Sequence, residues 1–442
     1  MRLRVLAVSV MPVLLMAQYR LVTIDPGHFH AALIQKEASA DLADEVYVYA
    51  PLGPDLTAHL NRVARFNNRA ENPTHWKLNV YAGPDWFERL LADRPGQVAV
   101  LSGRNKGKIE RMQALAIAGM HVLADKPWVI EPEDLPKVAA LLEAAQSKHV
   151  IFYDGMTQRY EITCLLQKAL VNDPGVFGEP VKGSPEEPGI YLESVHHLLK
   201  LVAGAPNLRP PWFFDIREQG EGLTDAGTHL VDLVQWTLTP EQMLDPGRDI
   251  RVLDGTRWPM VVSLPEFQRV TGEREFPAYL SSAVQADGLH YFCNNSVLYT
   301  LRGVHVKLDV KWGFEAAPGK GDTEVALYRG TKSRIEVRDN EVWVIPADGV
   351  SKADARAAVH KTLTANSQRW PGLSAEETAR GFRIVIPAAL RIGHEAHFAL
   401  LTRQFLDYVK DPASVPQWES SFLKAKYFVT TQGVALARRK AP

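Results

Sequence analysis

The run Ala118-Gly119-Met120-His121-Val122-Leu123-Ala124-Asp125-Lys126-Pro127-Trp128 constrains this chain more than any other. A helix end closed by Gly119 runs into an apolar strand, Val122 to Ala124, and the strand stops on a carboxylate, a lysine and a proline. Polar residues at the carboxyl end of such a strand face the ligand crevice of an open α/β sheet. Lys126 is therefore the first candidate for chemistry, against the alternative of a strand-end lysine standing in solvent. Pro127 cannot donate to a sheet ladder and disfavours helix in the residue before it, which directs how the lysine leaves the strand.

Strands and helices alternate around this run. Arg20 to Asp25 reads as a strand, and Pro26-Gly27-His28-Phe29-His30 as a turn into a helix beginning near Ala31. Glu45 to Ala50, Lys77 to Tyr81 and Val98 to Leu101 read as further strands, with a helix from Asp85 to Ala92. An amphipathic helix over Glu133 to Ser147 puts Leu135, Val138, Leu141, Leu142 and Ala145 on one side, and Val150 to Asp154 closes the series. The alternation predicts an α/β domain with a doubly wound (Rossmann-like) parallel sheet over residues 18–155. The rest, 156–442, opens with a helix from Glu161 to Asn172. From Ile250 it turns into alternating strands: Arg251 to Asp254, Tyr291 to Val297, Tyr299 to Asp309, Glu324 to Tyr328 and Ser333 to Arg338, the last two joined by a hairpin turn at Gly330-Thr331-Lys332. This predicts an α+β domain with a large, mostly antiparallel sheet. A polar helix-prone segment covers Ser351 to Asn366, and a long helix runs from His394 to about Val409.

Composition excludes several classes of function. The 50 Lys and Arg balance 51 Asp and Glu, so the 442-residue chain has no basic field for nucleic acid and no acidic tail. Cys164 and Cys293 are too few for a disulfide framework and fit no metal motif. His394-Glu395-Ala396-His397 lacks the i, i+4 histidines of a zinc protease helix and reads as a pocket or core feature, so no metal site is expected. Residues 1–17, Met1-Arg2-Leu3-Arg4 followed by an apolar run to Met16 and then Ala17, read as a signal peptide for periplasmic or secretory export. The alternative is a cytoplasmic protein starting at Met16. No segment is long enough to span a bilayer.

In the second half, Thr224 as an N-cap leaves Asp225, His229 and Asp232 at i, i+4 and i+7 on one helix stripe. One histidine between two carboxylates can be held in one tautomer with a pKa near neutrality, as a general base requires. The loop Pro210-Pro211-Trp212-Phe213-Phe214-Asp215 precedes this helix; its aromatic residues suit the faces of sugar rings or serve as core anchors.

Two of these stretches carry a family resemblance. AGMHVLADKP resembles the helix, strand and Glu-Lys-Pro signature of the Gfo/Idh/MocA oxidoreductases, with Asp125 where that family usually has Glu. Gly222-Leu223-Thr224-Asp225-Ala226-Gly227-Thr228-His229-Leu230-Val231-Asp232 resembles its second signature, an Asp and a His four residues apart opening a helix. The resemblance extends from about Leu21 to about Trp236 and weakly beyond. It implies an enzyme using NAD or NADP on a carbinol of a sugar, cyclitol or related polyol. In that reading His229 takes the hydroxyl proton, Asp225 orients His229, and Lys126 stabilises the oxygen. Arg159 stands where the resemblance places an active-site arginine, and Asp232 and Trp212 join it on the substrate side. The cofactor would meet Pro26, Gly27, His28 and Phe29, the loop Ser102, Gly103, Arg104 and Asn105, and Asp125 with Lys126.

The first turn departs from G-x-G-x-x-G, since the aligned positions are Asp25, Gly27 and His30 and only the middle glycine survives. His28 and His30 read equally as ligand-contacting groups or as satisfied turn residues. The second strand ends in Ala50-Pro51 where an acid on the ribose is usual, which leaves NAD against NADP open. In the loop from Ser102 to Lys108, Arg104 and Lys108 replace the family's Pro and His; the loop can offer N–H groups and charge to phosphates, or stand solvated. The C-terminal sheet is the surface through which the family often oligomerises, so a homo-oligomer is expected. Two alternatives stay open: a glycoside-cleaving enzyme that uses tightly bound NAD transiently, and a non-catalytic sugar-binding or partner-binding protein on the same scaffold.

Overall fold

The computed structural model describes residues 18–202, 205–318 and 320–440. The expected leader, residues 1–17, lies outside them. The first sheet has six parallel strands: β1 (Tyr19–Ile24), β2 (Leu42–Tyr49), β3 (Lys77–Tyr81), β4 (Val98–Leu101), β5 (His121–Ala124) and β6 (Phe152–Asp154), in the order β3-β2-β1-β4-β5-β6. Val22, Ile24, Val98, Ala99, Leu101, Val122 and Ala124 are fully buried, as continuous apolar runs covered on both faces must be. The order reverses between β1 and β4, and in a doubly wound sheet the ligand crevice opens at the carboxyl ends of the strands on either side of that switch. The turn after β1, the loop after β4 and the Asp125-Lys126 step after β5 all lie there.

The helices on this sheet are α1 (His30–Leu33), α2 (Pro54–Asn68), α3 (Trp86–Asp93), α4 (Lys108–Ile117) and α5 (Leu135–Lys148). α1 is a single turn, shorter than the helix expected from Ala31 onward.

The second sheet has ten strands, antiparallel except where Ile190–Leu199 runs parallel to Val304–Glu315. Its strands are longer than the sequence reading. The strand expected over Arg251 to Asp254 runs from Ile250 to Val262, and the break expected at Leu298 falls inside Gly288–Leu301. The chain turns instead at Arg302-Gly303, where φ is +50° and +81°. Positive φ at both central residues is the hairpin turn that matches strand twist.

A helix the sequence reading did not assign, Gln417–Lys440, holds the two sheets together. Its Leu423 and Tyr427 pack in the core under β5 with Val122 and Trp128, whereas Phe422, Val429 and Val434 belong to the core of the second sheet. The helix His394–Lys410 likewise returns to the first sheet, where Phe398, Leu401 and Phe405 pack with Leu21, Val46 and Val98. Among the described residues no helix is long and apolar enough to cross a membrane.

Candidate active site

The strand ends and the second sheet line an open cleft. His28, His30 and Lys126 line it from the first domain, and Asp225, His229, His196, Lys200, Asp322 and Glu324 from the second. A narrow, nearly filled crevice continues along the first turn, lined by Gly27, Gly103, Asn105, Arg62, Arg209 and Trp212.

β5 ends on two residues with opposite partners. The Asp125 carboxylate is buried, with Nδ1 of His28 at 2.6 Å, Nδ1 of His30 at 3.0 Å and the Ser102 hydroxyl donating at 2.7 Å. Burial opposes its charge, but His30 and His28 outweigh burial and hold the carboxyl well below the usual range. The Lys126 ammonium reaches across to Asp225. Burial works against the charged Asp225 as well; the attraction and hydrogen bond of Lys126 prevail and hold it at about 2. Lys126 and Asp225 thus form an ion pair between the domains, which follows from placing two unlike charges in one desolvated wall.

Asp225 therefore does not orient His229, as the helix spacing suggests. Gly222–Asp225 and Gly227–Leu238 form a continuous path through Ala226, but the Asp225 carbonyl accepts the Thr228 hydroxyl at 2.6 Å and the His229 N–H goes to the Ala226 carbonyl. Thr224 lies inside the first of these helices, with its hydroxyl on the Glu221 carbonyl, and is not the N-cap. His229 lines the cleft with Nδ1 buried and without a partner among the described residues. Burial, with the Lys126 charge adding to it, pushes the imidazole well below its usual range instead of tuning it near neutrality. At neutral pH it is an uncharged imidazole.

The residues expected on the substrate side lie elsewhere. Arg159 donates to both oxygens of Asp232 at 2.6 and 2.7 Å and to Glu419 at 2.7 Å, and Asp232 also faces Lys426 at 3.3 Å. Neither Arg159 nor Asp232 lines the cleft, because each spends its charge in this buried cluster. Trp212 lines the smaller pocket; its indole N–H donates to Asp55 at 2.7 Å and the Arg104 guanidinium lies over its ring. It closes the first turn from the second domain.

That turn differs from a standard pyrophosphate cradle. A Cβ at Gly27 would stand 2.7 Å from Cζ2 of Trp212, so the glycine makes room for a side chain of the protein. The Gly27 N–H bonds the Asp25 carbonyl, and the His28 N–H the Ser102 carbonyl. Asp25, where the first glycine would stand, keeps a left-handed backbone with φ +44°. In the neighbouring loop the Asn105 amide donates to Gln219, and Lys108 gives its ammonium to Asn105 Oδ1 and the Asp125 carbonyl. Burial lowers that ammonium to about 8. Arg62, in contrast, lines the pocket without a carboxylate or carbonyl partner among the described residues. A guanidinium so placed, with Arg209 beside it, is the donor chemistry a phosphate takes bidentately. Arg62, and Arg209 with part of its guanidinium spent on the Leu198 and His197 carbonyls, are the cations that would meet a dinucleotide's phosphates.

Sequence reasoning missed Arg62, Arg209, His196, Lys200, Asp322 and Glu324 as cleft groups. Asp322 accepts from His196 at 3.0 Å and from Lys200, and Glu324 accepts from Gln158. Burial, with Asp322 and Glu161 adding to it, raises the Glu324 carboxyl to about 7. The adjacent pair His196-His197 was the available signal; the carboxylates lie at and just before the start of the strand Thr323–Arg329, over a hundred residues later, and no spacing announces them.

Comparison with known proteins places this geometry. A family model described as "Putative oxidoreductase C terminal domain" matches residues 166–438. A crystal structure of a "putative oxidoreductase" from Parabacteroides merdae is 41% identical, covers 96% of this chain and 98% of its own, and superposes with a TM-score of 0.92. A levoglucosan dehydrogenase in complex with NADH and levoglucosan shares the fold at 14% identity, 96% and 98% coverage and a TM-score of 0.61. A 3-ketoreductase from Actinomadura kijaniata in complex with NADP and TDP-benzene does so at 15%, 93% and 95%, and 0.55. No curated protein sequence matches the chain.

Proposed function

Since the chain belongs to the Gfo/Idh/MocA-type oxidoreductases, we propose that it transfers hydride between a carbinol of a sugar, cyclitol or related polyol and NAD or NADP. The observation that carries this reading is the Lys126–Asp225 ion pair facing the uncharged His229 in one cleft at the strand carboxyl ends. When bound, the nicotinamide supplies the hydride acceptor. Lys126 holds the substrate oxygen and stabilises charge on it, a role that costs no reorganisation because Asp225 already fixes the ammonium. His229, a neutral imidazole lining the same cleft, takes the hydroxyl proton. Arg62 and Arg209 hold the phosphates. The sugar dehydrogenase and ketoreductase among the similar folds support the substrate class.

Lys126→Ala and His229→Ala are each expected to lower turnover on a responsive polyol by roughly 10²–10⁴-fold, the range for loss of a positioned acid, base or charge, with circular dichroism unchanged. Near-normal rates from both remove the mechanism. Denaturing the purified protein and seeking released NAD(H) or NADP(H) by mass spectrometry, with calorimetric titration of both nucleotides, tests the cofactor.

The first turn, whose amides bond within the protein, favours a second reading: a sugar-binding protein on this scaffold. Intact sugar binding with neither nucleotide nor turnover would establish it. Export by the leader of residues 1–17 and self-association through the C-terminal sheet belong to the same proposal; N-terminal sequencing of the mature protein and light scattering test them.

A further inference from the structure

We propose that His28, His30 and Asp125 bind a divalent transition-metal ion at the edge of the cleft. The turn after β1 supplies two histidines at i and i+2, and β5 supplies the carboxylate 95 residues beyond His30. Both imidazoles converge on it by the same nitrogen: Nδ1 of His28 lies 2.6 Å from Oδ2, and Nδ1 of His30 lies 3.0 and 3.1 Å from Oδ1 and Oδ2. One donor atom from each residue falls within 4.8 Å of the others. Two ligands each about 2.1 Å from a tetrahedral zinc ion stand about 3.4 Å apart, so each histidine–carboxylate separation would open by less than roughly 1 Å to take an ion in place of protons.

The donor chemistry agrees with the geometry. Two imidazoles and one carboxylate form a set that suits zinc, manganese or iron(II) and leaves coordination positions open. Neighbouring groups hold the carboxylate and one of the rings in place. Ser102 donates to the carboxylate at 2.7 Å, and the His394 ring stacks on His30 with centroids 5.2 Å apart. No lysine or arginine claims that carboxylate. Lys126 is drawn off by Asp225, and Lys108 bonds Asn105 and the main-chain carbonyl of Asp125. His28 and His30 both line the cleft, so the open positions face the space where a hydroxyl or carbonyl oxygen would lie. The proposal reverses the expectation of no metal, which rested on searching the sequence for closely spaced ligands, and it stands whether or not a nucleotide binds.

The test uses full-length protein without a histidine tag, stripped with chelator and then dialysed against Zn²⁺, Mn²⁺ or Co²⁺. Mass spectrometric metal analysis is expected to find about one ion per chain, with visible Co²⁺ bands and a raised Tm. His28→Gln and His30→Gln, each folded by circular dichroism, are expected to lose at least the roughly 10–100-fold in affinity that an outer-shell change costs. His397→Gln, elsewhere in the cleft, keeps it. Folded wild-type protein that takes up none of the three ions overturns the site without recourse to variants, as does undiminished binding in both histidine variants.

Discussion

Asp125 and Lys126 are neighbours in sequence, yet each finds its partner in a different place: Asp125 in the histidines of the first turn, Lys126 in Asp225 of the second domain. A buried charge is tolerated only where paired and hydrogen-bonded, so these partnerships decide which groups remain free to act. Glu324 is the exception, a cleft carboxyl raised to about 7 by burial and by the repulsion of Asp322 and Glu161. Its folded pKa lies above the unfolded value. The native state therefore binds the extra proton between about pH 4.5 and 7, and the stability conferred is present below 4.5 and lost as pH rises through 7. Glu324→Gln is expected to remove this slope, gaining on the order of 2–3 kcal/mol over wild type at pH 8 but little at pH 4.5. Urea midpoints at the two pH values decide it; an equal shift at both would show that the carboxyl is not held protonated.

Elements meet here through glycine. Gly255 in the strand Ile250–Val262 lies against Gly433 in the helix Gln417–Lys440, and a Cβ at Gly255 would fall well inside contact distance of the Gly433 carbonyl oxygen. The backbone on both sides leaves nothing flexible to yield. Gly255→Ala is expected to cost about 1–3 kcal/mol by overpacking, read as a lower urea midpoint at unchanged m-value. Gly321→Ala, with open space around it and no positive φ, is expected to stay within about 0.5 kcal/mol of wild type. Equal effects at the two sites would contradict this account of the crossing.

At the scale of the whole molecule, one ionic cluster joins three parts of the chain. Asp154 ends β6 of the first sheet, Arg159 stands just beyond it, Asp232 lies on the helix behind the cleft, and Glu419 and Lys426 come from the C-terminal helix. Tyr427 adds a hydrogen bond to Asp154 at 2.8 Å. Removing Arg159 leaves Asp232 and Glu419 buried with too little positive charge, so Arg159→Met is expected to lower stability by roughly 3–5 kcal/mol. Burial opposes the charged Asp232, but Arg159 and Lys426 hold it at about 2. Its folded pKa is depressed, and its contribution is present above about pH 4 and lost as pH falls through 2. Arg159→Met should also shorten that acid limb, measured by urea titration at pH 5, 4 and 3. A variant as stable as wild type would mean that the cluster does not hold the domains together.

Local pattern alone determined the six parallel strands, the strand-end placement of Lys126 and the kinship carried by its two signatures, because apolar runs, glycine stops and short motifs are encoded by residues close in the chain. Cleft membership of His229 and Asp225 was legible for the same reason. Their partnership was not: which carboxylate meets which cation depends on how two domains face each other. Arg159 and Asp232 sit in a motif-like order but serve the domain junction, a role set by Glu419 and Lys426, which come 260 and 194 residues after their respective partners. The helix Gln417–Lys440 went unassigned since burial on nearly every side, with Lys426, Thr430 and Thr431 inside, erases the amphipathic period. The convergence of His28, His30 and Asp125 arises only when β1 and β5 are set on either side of β4, so tertiary structure alone decided it.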